Sequence, residues 1–359
     1  MDLATLQVST LPFNGPYFLS AGTVFAKDGS FLLTIYQNVI MRVDMPSWTR
    51  TIVAGTQGVY LYQGGVGTAA RFFTPAAMAM SPDSTYVLIG DSGCLFKMTL
   101  DTSTVSLIAG QCSGNNCNLV DIDGYGGAFT TINAIAFHPS GKFCFVQTNA
   151  LRRVDFYGSA LLSTLANSGS FIPGSLMFSV DGNTLYSSSG TGDYVWNWTT
   201  AAGPVAYLSP RSTKYYDRLD YSNLLYAENS MYTVGQFNDV TGGITILAGN
   251  GGNFNYDGIG TNAYFSTFSG IAVWRCALPG MGVNTNFNLC ERCPAGKFSN
   301  SMGFCGSCPA GTTSPAASST CLLPVGYYLL NGATTPCPAG YFCLGGTATL
   351  QACPICSAG

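Results

Sequence analysis

Short apolar runs broken by tight turns set the pattern of this chain. Residues 76–91 read AAMAMSPDSTYVLIGD, residues 132–147 read INAIAFHPSGKFCFVQ, and residues 269–276 read SGIAVWRC. The first two are each a pair of apolar stretches split by a turn, Pro82–Ser84 in one and His138–Gly141 in the other. Lys27–Gly29 and Val180–Gly182 mark the same kind of turn elsewhere. In three places a third strand follows and ends in a basic–apolar–polar triplet: Arg42–Asp44, Lys97–Thr99 and Arg153–Asp155. A fourth strand closes each unit. Runs of this length, bounded by Gly, Pro, Asp and Ser, predict strands joined by hairpin turns.

The units repeat. Three glycine-rich segments introduce apolar strands: GGVGTAARF (Gly64–Phe72), DIDGYGGAF (Asp121–Phe129) and DGIGTNAYF (Asp257–Phe265). Closing strands end at Thr51–Gly55 (TIVAG), Ser106–Gly110 (SLIAG), Ser163–Asn167 (STLAN) and Thr245–Gly249 (TILAG). The repeat length is about 40–57 residues, and four short strands per repeat describe a propeller blade. The expected architecture is all-β: a six-bladed β-propeller followed by a disulfide-rich, loop-rich C-terminal tail. Blades are expected at 21–55, 76–110, 133–167, 175–210 and 214–249, with a sixth starting at Gly270. A β-sandwich with irregular turns is the alternative, and the regular recurrence argues against it. The N-terminal stretch Leu3–Leu11 reads as an orphan outer strand. It either closes the chain's own ring or pairs with a neighbouring molecule.

The GxGTxAxF segment, the apolar strand with its Asp/Pro turn and the closing L-A-G strand resemble NHL-repeat β-propellers over residues 1–276. The fourth and fifth units depart from that pattern, because they lack the glycine-rich lead-in. The resemblance implies the fold strongly and the function weakly, since propellers host enzymes, binders and structural parts alike.

Ten of the fourteen cysteines follow residue 275. The tetrapeptide Cys-Pro-Ala-Gly recurs at 293–296, 308–311 and 337–340, in a segment rich in Ser, Gly and Thr. The domain expected over 277–359 is therefore a disulfide framework of an oxidising compartment. Its candidate half-cystines are Cys276, Cys290, Cys293, Cys305, Cys308, Cys321, Cys337, Cys343, Cys353 and Cys356. Zinc binding by the C-x2-C pairs is the weaker alternative. The tail resembles ephrin-receptor-type cysteine-rich repeats of secreted and cell-surface proteins. That resemblance implies Cys293–Cys305 and Cys308–Cys321 as local bridges. With few large apolar side chains, such a tail depends on its bridges, each worth about 2–4 kcal/mol. In the propeller, Cys112 and Cys117 flank the short loop SGNN and are a candidate pair. Cys94 and Cys144 either pair with each other or stay buried thiols. The last pair, Cys353-Pro-Ile-Cys356, stops in mid-pattern, and MDLATLQVST has no signal-peptide pattern, so the chain is expected to be a mature form or a fragment.

Composition narrows the function. Charged residues are 9% of 359, where about 25% is usual. Fourteen basic residues so spread form no phosphate-tracking stripe, which argues against nucleic acid. There is one histidine, His138, read as a turn residue rather than a base, and only two glutamates, Glu228 and Glu291. Multi-imidazole metal sites and a Ser-His-Asp triad are thereby disfavoured, so no enzyme activity and no cofactor are expected. Asp121-x-Asp123-Gly124 looks like the start of a calcium loop, but the twelfth position is Ile132, which offers no oxygen. No stretch approaches the roughly 18 apolar residues of a membrane span.

Sugar is the modification the sequence suggests. Asn197-Trp198-Thr199 is an N-glycosylation sequon, and Thr312, Thr313, Ser314, Ser318, Ser319 and Thr320 form a hydroxyl-rich patch for O-linked sugar or an ordinary loop. Tyr194, Trp196 and Trp198 share one strand face, as core or as a sugar platform. Mean hydropathy is +0.24 and net charge −3, so little repulsion keeps copies apart. A disc on one copy touching a rod on the next makes a heterologous interface, which builds rings or filaments. The expected function is a non-enzymatic extracellular structural glycoprotein, a self-associating subunit of a surface fibre, filament or matrix. The alternative is the ectodomain of an adhesion or receptor protein that binds a protein or glycan through the propeller face.

Overall fold

The computed structural model describes residues 1, 6–8, 10, 22–26, 29–45, 47–157, 159–166, 175–179, 182–189, 192–199, 205–208, 214–218, 223–238, 243–266, 268, 271, 281–284, 289–299, 305–308, 311–325, 327–330, 333–338, 341–342 and 351–352. The chain divides into two compact units. One is Met1–Ala26 with Phe31–Val273, and the other is Lys27–Ser30 with Trp274–Gly359.

The first unit is built of antiparallel blades. Strand β1 (Gln7–Val8) precedes blade 1, which is β2 (Thr23–Phe25), β3 (Phe31–Tyr36), β4 (Val39–Asp44) and β5 (Thr49–Ala54). After β6 (Gly65–Val66) comes blade 2: β7 (Pro75–Met80), β8 (Tyr86–Asp91), β9 (Cys94–Thr99) and β10 (Thr104–Ala109). A small hairpin, β11 (Cys112–Ser113) and β12 (Asn116–Cys117), leads to β13 (Gly124–Tyr125) and blade 3. That blade is β14 (Ala134–Phe137), β15 (Phe143–Gln147), β16 (Leu151–Tyr157) and β17 (Ser159–Ala166). Blade 4 is β18 (Leu176–Phe178), β19 (Thr184–Ser189), β20 (Gly192–Asn197) and β21 (Val205–Leu208). Blade 5 is β22 (Lys214–Arg218), β23 (Asn223–Glu228), β24 (Thr233–Asn238) and β25 (Ile244–Ala248), followed by β26 (Gly258–Ile259).

The inner strands are apolar without alternation because both faces of each sheet are covered. Phe31–Ile35 and Phe143–Gln147 are buried at every position. Blades 1 and 2 share a core that includes Leu33, Ile35, Phe72, Ile89 and Phe96. Blades 2 and 3 share Leu88, Leu95, Phe129, Ile135 and Val146, and blades 3 and 4 share Phe145, Leu151, Phe178 and Leu185. Tyr186, Tyr226 and Phe237 join blades 4 and 5. The basic residue of the triplet lies over the ring that opens the second strand of its own blade. Arg42 Cζ is 3.8 Å from the Phe31 centroid, Lys97 Nζ 4.2 Å from Tyr86, and Arg153 Cζ 4.0 Å from Phe143.

The closing L-A-G signature has a steric cause. Ala54, Ala109 and Ala248 are buried, and each lies at a register shift in the ladder. The glycine that follows is left-handed, at φ 91°, 107° and 88° for Gly55, Gly110 and Gly249. A Cβ there would sit 2.8 Å from Asn38 O, 2.5 Å from Gly93 O and 2.3 Å from Tyr232 O, respectively, so no other residue fits without a shift.

The glycine-rich segments are short fifth strands. Gly65 and Val66 pair with Val105 and Thr104, and Gly124 and Tyr125 pair with Leu162 and Leu161. Gly258 and Ile259 pair in the same way with Val8 and Gln7. The matching extends further. Gly67 N–H donates to Ser103 O (2.9 Å), and Gly260 N–H donates to Leu6 O (3.0 Å). Ser103 and Leu6 are both left-handed, at φ 52° and 56°. Val8, Val105 and Leu162 are all buried. Thr164 Oγ1 donates to Asp123 Oδ1 (3.0 Å), and Thr10 Oγ1 donates to Asp257 Oδ1 (2.7 Å). β1 therefore stands to β26 as the outer strands of blades 2 and 3 stand to their glycine-rich segments.

The expected sixth blade is a correction: among the described residues there are five four-stranded blades. After Cys276 the chain has neither the turn motif nor the closing signature that builds the other blades. Most of the expected strand 270–275 lies outside the described residues. Ile271, Phe265 and Phe268 pack with Val8, Leu225 and Ala248 against blade 5.

In the second unit the described strands form hairpins. They pair Met281–Asn284 with Leu289–Arg292, Lys297–Ser299 with Cys305–Ser307, Tyr327–Leu330 with Ala333–Pro336, and Tyr341–Phe342 with Gln351–Ala352. Disulfides join Cys293 to Cys305 and Cys308 to Cys321. Cys337 is disulfide-bonded. Cys276, Cys343, Cys353 and Cys356, and the side chain of Cys290, lie outside the described residues.

Candidate functional site

Exposed apolar side chains of the propeller recur at equivalent positions of the repeat. On the outer strands they are Ile52, Leu107 and Ile246, each two residues before the buried closing alanine. On the glycine-rich strands they are Val66, Tyr125 and Ile259, exposed by 60%, 70% and 58%. The bulge explains the first set: it turns the closing alanine inward and leaves the residue two positions before it facing out. The flanking glycines explain the second set, because a two-residue strand at a blade edge has nothing beyond it. Tyr60, Phe254 and Tyr256 are further exposed aromatics on the same connections. The outer strands and their lead-ins thus expose apolar side chains at equivalent positions of the repeat.

The lead-in of blade 3 is held by ions. Arg152 is fully buried, and its guanidinium meets Asp121 Oδ1 at 2.8 Å and Asp123 Oδ1 at 2.6 Å. It also donates to Ala128 O (3.3 Å). Burial raises the pKa of Asp123, but the Thr164 N–H and hydroxyl and Arg152 together outweigh it and hold the carboxyl below its ordinary value. A cationic side chain thus sits between the two carboxylates of the DIDG motif, where a calcium loop would hold its ion. Arg152 occupies the register of Met41 and Phe96 in blades 1 and 2. Aligning the three triplets would have flagged that charge at a core position.

Asp91, also buried, accepts the N–H groups of Phe73 (2.7 Å) and Thr74 (2.6 Å). Burial pushes its pKa up to about 6. His138 sits in its turn, Nδ1 2.7 Å from Ser140 Oγ, and stacks on Phe143 at 4.3 Å between ring centroids. Its imidazole also borders Phe178 and Trp198 of blade 4. Burial and Arg153 lower its pKa. The imidazole therefore joins two blades.

The sugar candidates are placed as follows. Asn197 is exposed at the end of β20, and its Oδ1 accepts from Thr199 Oγ1 (2.6 Å) and N (3.2 Å). Trp196 and Trp198 pack against the core shared by blades 3 and 4, while the side chain of Tyr194 lies outside the described residues. In the tail, Thr313, Ser319 and Thr320 are exposed, and Thr312 and Ser318 are half-buried. Ser314 is buried and donates to Lys297 O (2.6 Å).

Cys94, Cys112 and Cys117 converge, with all three sulfurs within 4.8 Å of one another. The expected choice between a Cys94–Cys144 bridge and two buried thiols falls to neither. Cys94 lies at Cys112 and Cys117, and Cys144 is a buried free thiol whose pKa is pushed up by burial and by Asp155.

No family model matches the chain, and no curated protein matches it. Solved structures do. A structural genomics protein of unknown function from Bacteroides thetaiotaomicron aligns at 10% identity and a TM-score of 0.53, over 80% of this chain and 68% of that one. An auxiliary nutrient binding protein from the same organism aligns at 12% identity and a TM-score of 0.51, over 71% of this chain and 64% of that one. A chain of a nidogen/laminin complex aligns at 12% identity and a TM-score of 0.47, over 63% of this chain and 78% of its own. The chain is a β-propeller protein. At such identities the likeness concerns the fold alone. Among the described residues no helix is long and apolar enough to cross a membrane.

Proposed function

We propose that this protein is a non-enzymatic, extracellular structural subunit that associates with copies of itself through these exposed apolar side chains of its propeller. The repeated exposure of Ile52, Leu107 and Ile246 with Val66, Tyr125 and Ile259 carries the proposal. Scattered apolar residues on a surface are ordinary, but the same repeat position apolar and exposed in blades 1, 2 and 5, with Thr164 in its place in blade 3, is a pattern. Only 9% of residues are charged and net charge is −3, so electrostatic repulsion opposes association weakly. Disulfides in both units support an oxidising, extracellular setting. The proposed assembly joins propeller to tail between copies as a filament or matrix, with N-linked sugar at Asn197 supplying solubility.

Electron microscopy and sedimentation of the native protein without reductant test this. Filaments or sheets that dissolve in an Ile246→Asp, Ile259→Asp double variant are the expected result. Dispersed monomers at high concentration would overturn it. Tyr125, Phe254 and Tyr256, exposed by 70%, 69% and 70%, support a second reading, adhesion to a glycan or protein through the propeller. Dispersed particles that bind a glycan array, with loss on Tyr125→Ala, would select that reading.

A further inference from the structure

We infer that Cys94, Cys112 and Cys117 form an internal thiol–disulfide exchange site, in which one disulfide and one thiol trade places around Cys112. Cys94 begins β9 and is fully buried. Cys112 and Cys117 face each other across the β11–β12 hairpin. Cys112 Sγ lies within bonding reach of both Cys94 Sγ and Cys117 Sγ, and the outer two sulfurs are 3.9 Å apart. A sulfur makes one disulfide bond, so three cysteines in this arrangement hold one bridge and one thiol.

Two glycines border the sulfurs. A Cβ on Gly93 would lie 3.0 Å from Cys117 Sγ and 2.6 Å from Phe129 O. A Cβ on Gly110 would lie 3.1 Å from Cys94 Sγ and 2.5 Å from Gly93 O. Backbone oxygens are the nearest neighbours at both positions, and the sulfurs of Cys117 and Cys94 pack just beyond them. The Cα atoms of Cys94 and Cys112 are 6.2 Å apart, within the usual disulfide span, whereas those of Cys112 and Cys117 are 4.0 Å apart. Cys94–Cys112 is therefore the resting bridge. Cys117, the least buried of the three, carries the thiol.

The step is redox-neutral. The Cys117 thiolate attacks Cys112 Sγ, the Cys112–Cys94 bond breaks, and the electron pair leaves on Cys94 Sγ. Cys94 takes up a proton in place of the one Cys117 released. The two bridges hold different things. Cys94–Cys112 ties the segment after blade 2 to the sheet, whereas Cys112–Cys117 closes only the hairpin. Exchange thus untethers from β9 a segment that carries the exposed Leu119 and Val120.

Trypsin separates the two states. Cys94 lies in Phe72–Lys97, and Cys112 and Cys117 lie together in Met98–Lys142. The full-length protein is alkylated at acid pH, digested without reduction and mapped by mass. Before alkylation, one sample is held at pH 8 with a trace of small thiol. The expected result is two species: linked peptides with alkylated Cys117, and an internally bridged Met98–Lys142 with alkylated Cys94. The pH 8 incubation shifts their ratio. Cys94→Ser and Cys117→Ser should each leave one full bridge and no thiol within the trio. A single connectivity that the incubation leaves unchanged would overturn the inference. So would either variant with two unpaired thiols, or wild-type protein with three thiolates on one bound zinc.

Discussion

Replacing Arg152 by Met puts at this position the side chain that blade 1 carries at Met41. The guanidinium is fully buried, and it pairs with Asp121 at 2.8 Å and with Asp123 at 2.6 Å. Breaking a buried pair by removing one partner costs about 3–5 kcal/mol, because the other charge is left uncompensated. Here the partners keep some water: the Asp121 side chain is 21% exposed and that of Asp123 52%. The lower end, about 3 kcal/mol, is therefore expected. For a domain of this size each kcal/mol moves Tm by about 2–4 °C, so the variant should melt about 6–12 °C lower by calorimetry. The triple variant Arg152→Met, Asp121→Asn, Asp123→Asn should regain most of that loss, since amides need no counter-charge. Calcium should raise the Tm of the single variant and leave the native protein and the triple variant unmoved. A single variant that melts with the native protein, or a triple variant no better than the single one, would refute the ionic account of this lead-in.

Three further expectations follow from the same structure. Asp91, with a folded pKa of about 6 against an ordinary 3.8, binds its proton more tightly folded than unfolded, so its contribution is present below pH 4 and lost as pH rises through 6. That loss is about 3 kcal/mol, and urea midpoints from pH 4 to 7 should fall less steeply in Asp91→Asn. Val8→Asp removes a buried side chain worth about 1.5–3 kcal/mol and should speed hydrogen exchange at the Gly260 amide, while Gln7→Ala should not. Gly249→Ala places a Cβ 2.3 Å from Tyr232 O in a left-handed residue, and a loss of about 1–3 kcal/mol in urea unfolding is expected.

The glycine-rich lead-ins, the turns and the closing L-A-G strands were legible in the sequence, because each answers a local demand. A left-handed glycine against a carbonyl, a bulge and a hairpin turn are settled within one blade. The basic triplet was legible as a recurrence, but its partner ring appears only when the second and third strands lie side by side. The sixth blade was not legible. It was inferred from the apolar strand at Gly270 and from Leu3–Leu11 as an outer strand that could complete it, and a blade needs four.

The sequence by itself determined a repeating all-β chain with a cysteine-bridged tail, few charges and one histidine. Those properties follow from local turn chemistry and composition. Only the tertiary structure decided that Val8 and Thr10 repeat the contacts of Leu162 and Thr164, since the residues they meet are some 250 positions away. It also decided that Cys94 belongs with Cys112 and Cys117, and that Arg152 lies between the carboxylates of Asp121 and Asp123. Each depends on which strands the packing of the blades brings together, and distance along the chain carries no trace of that.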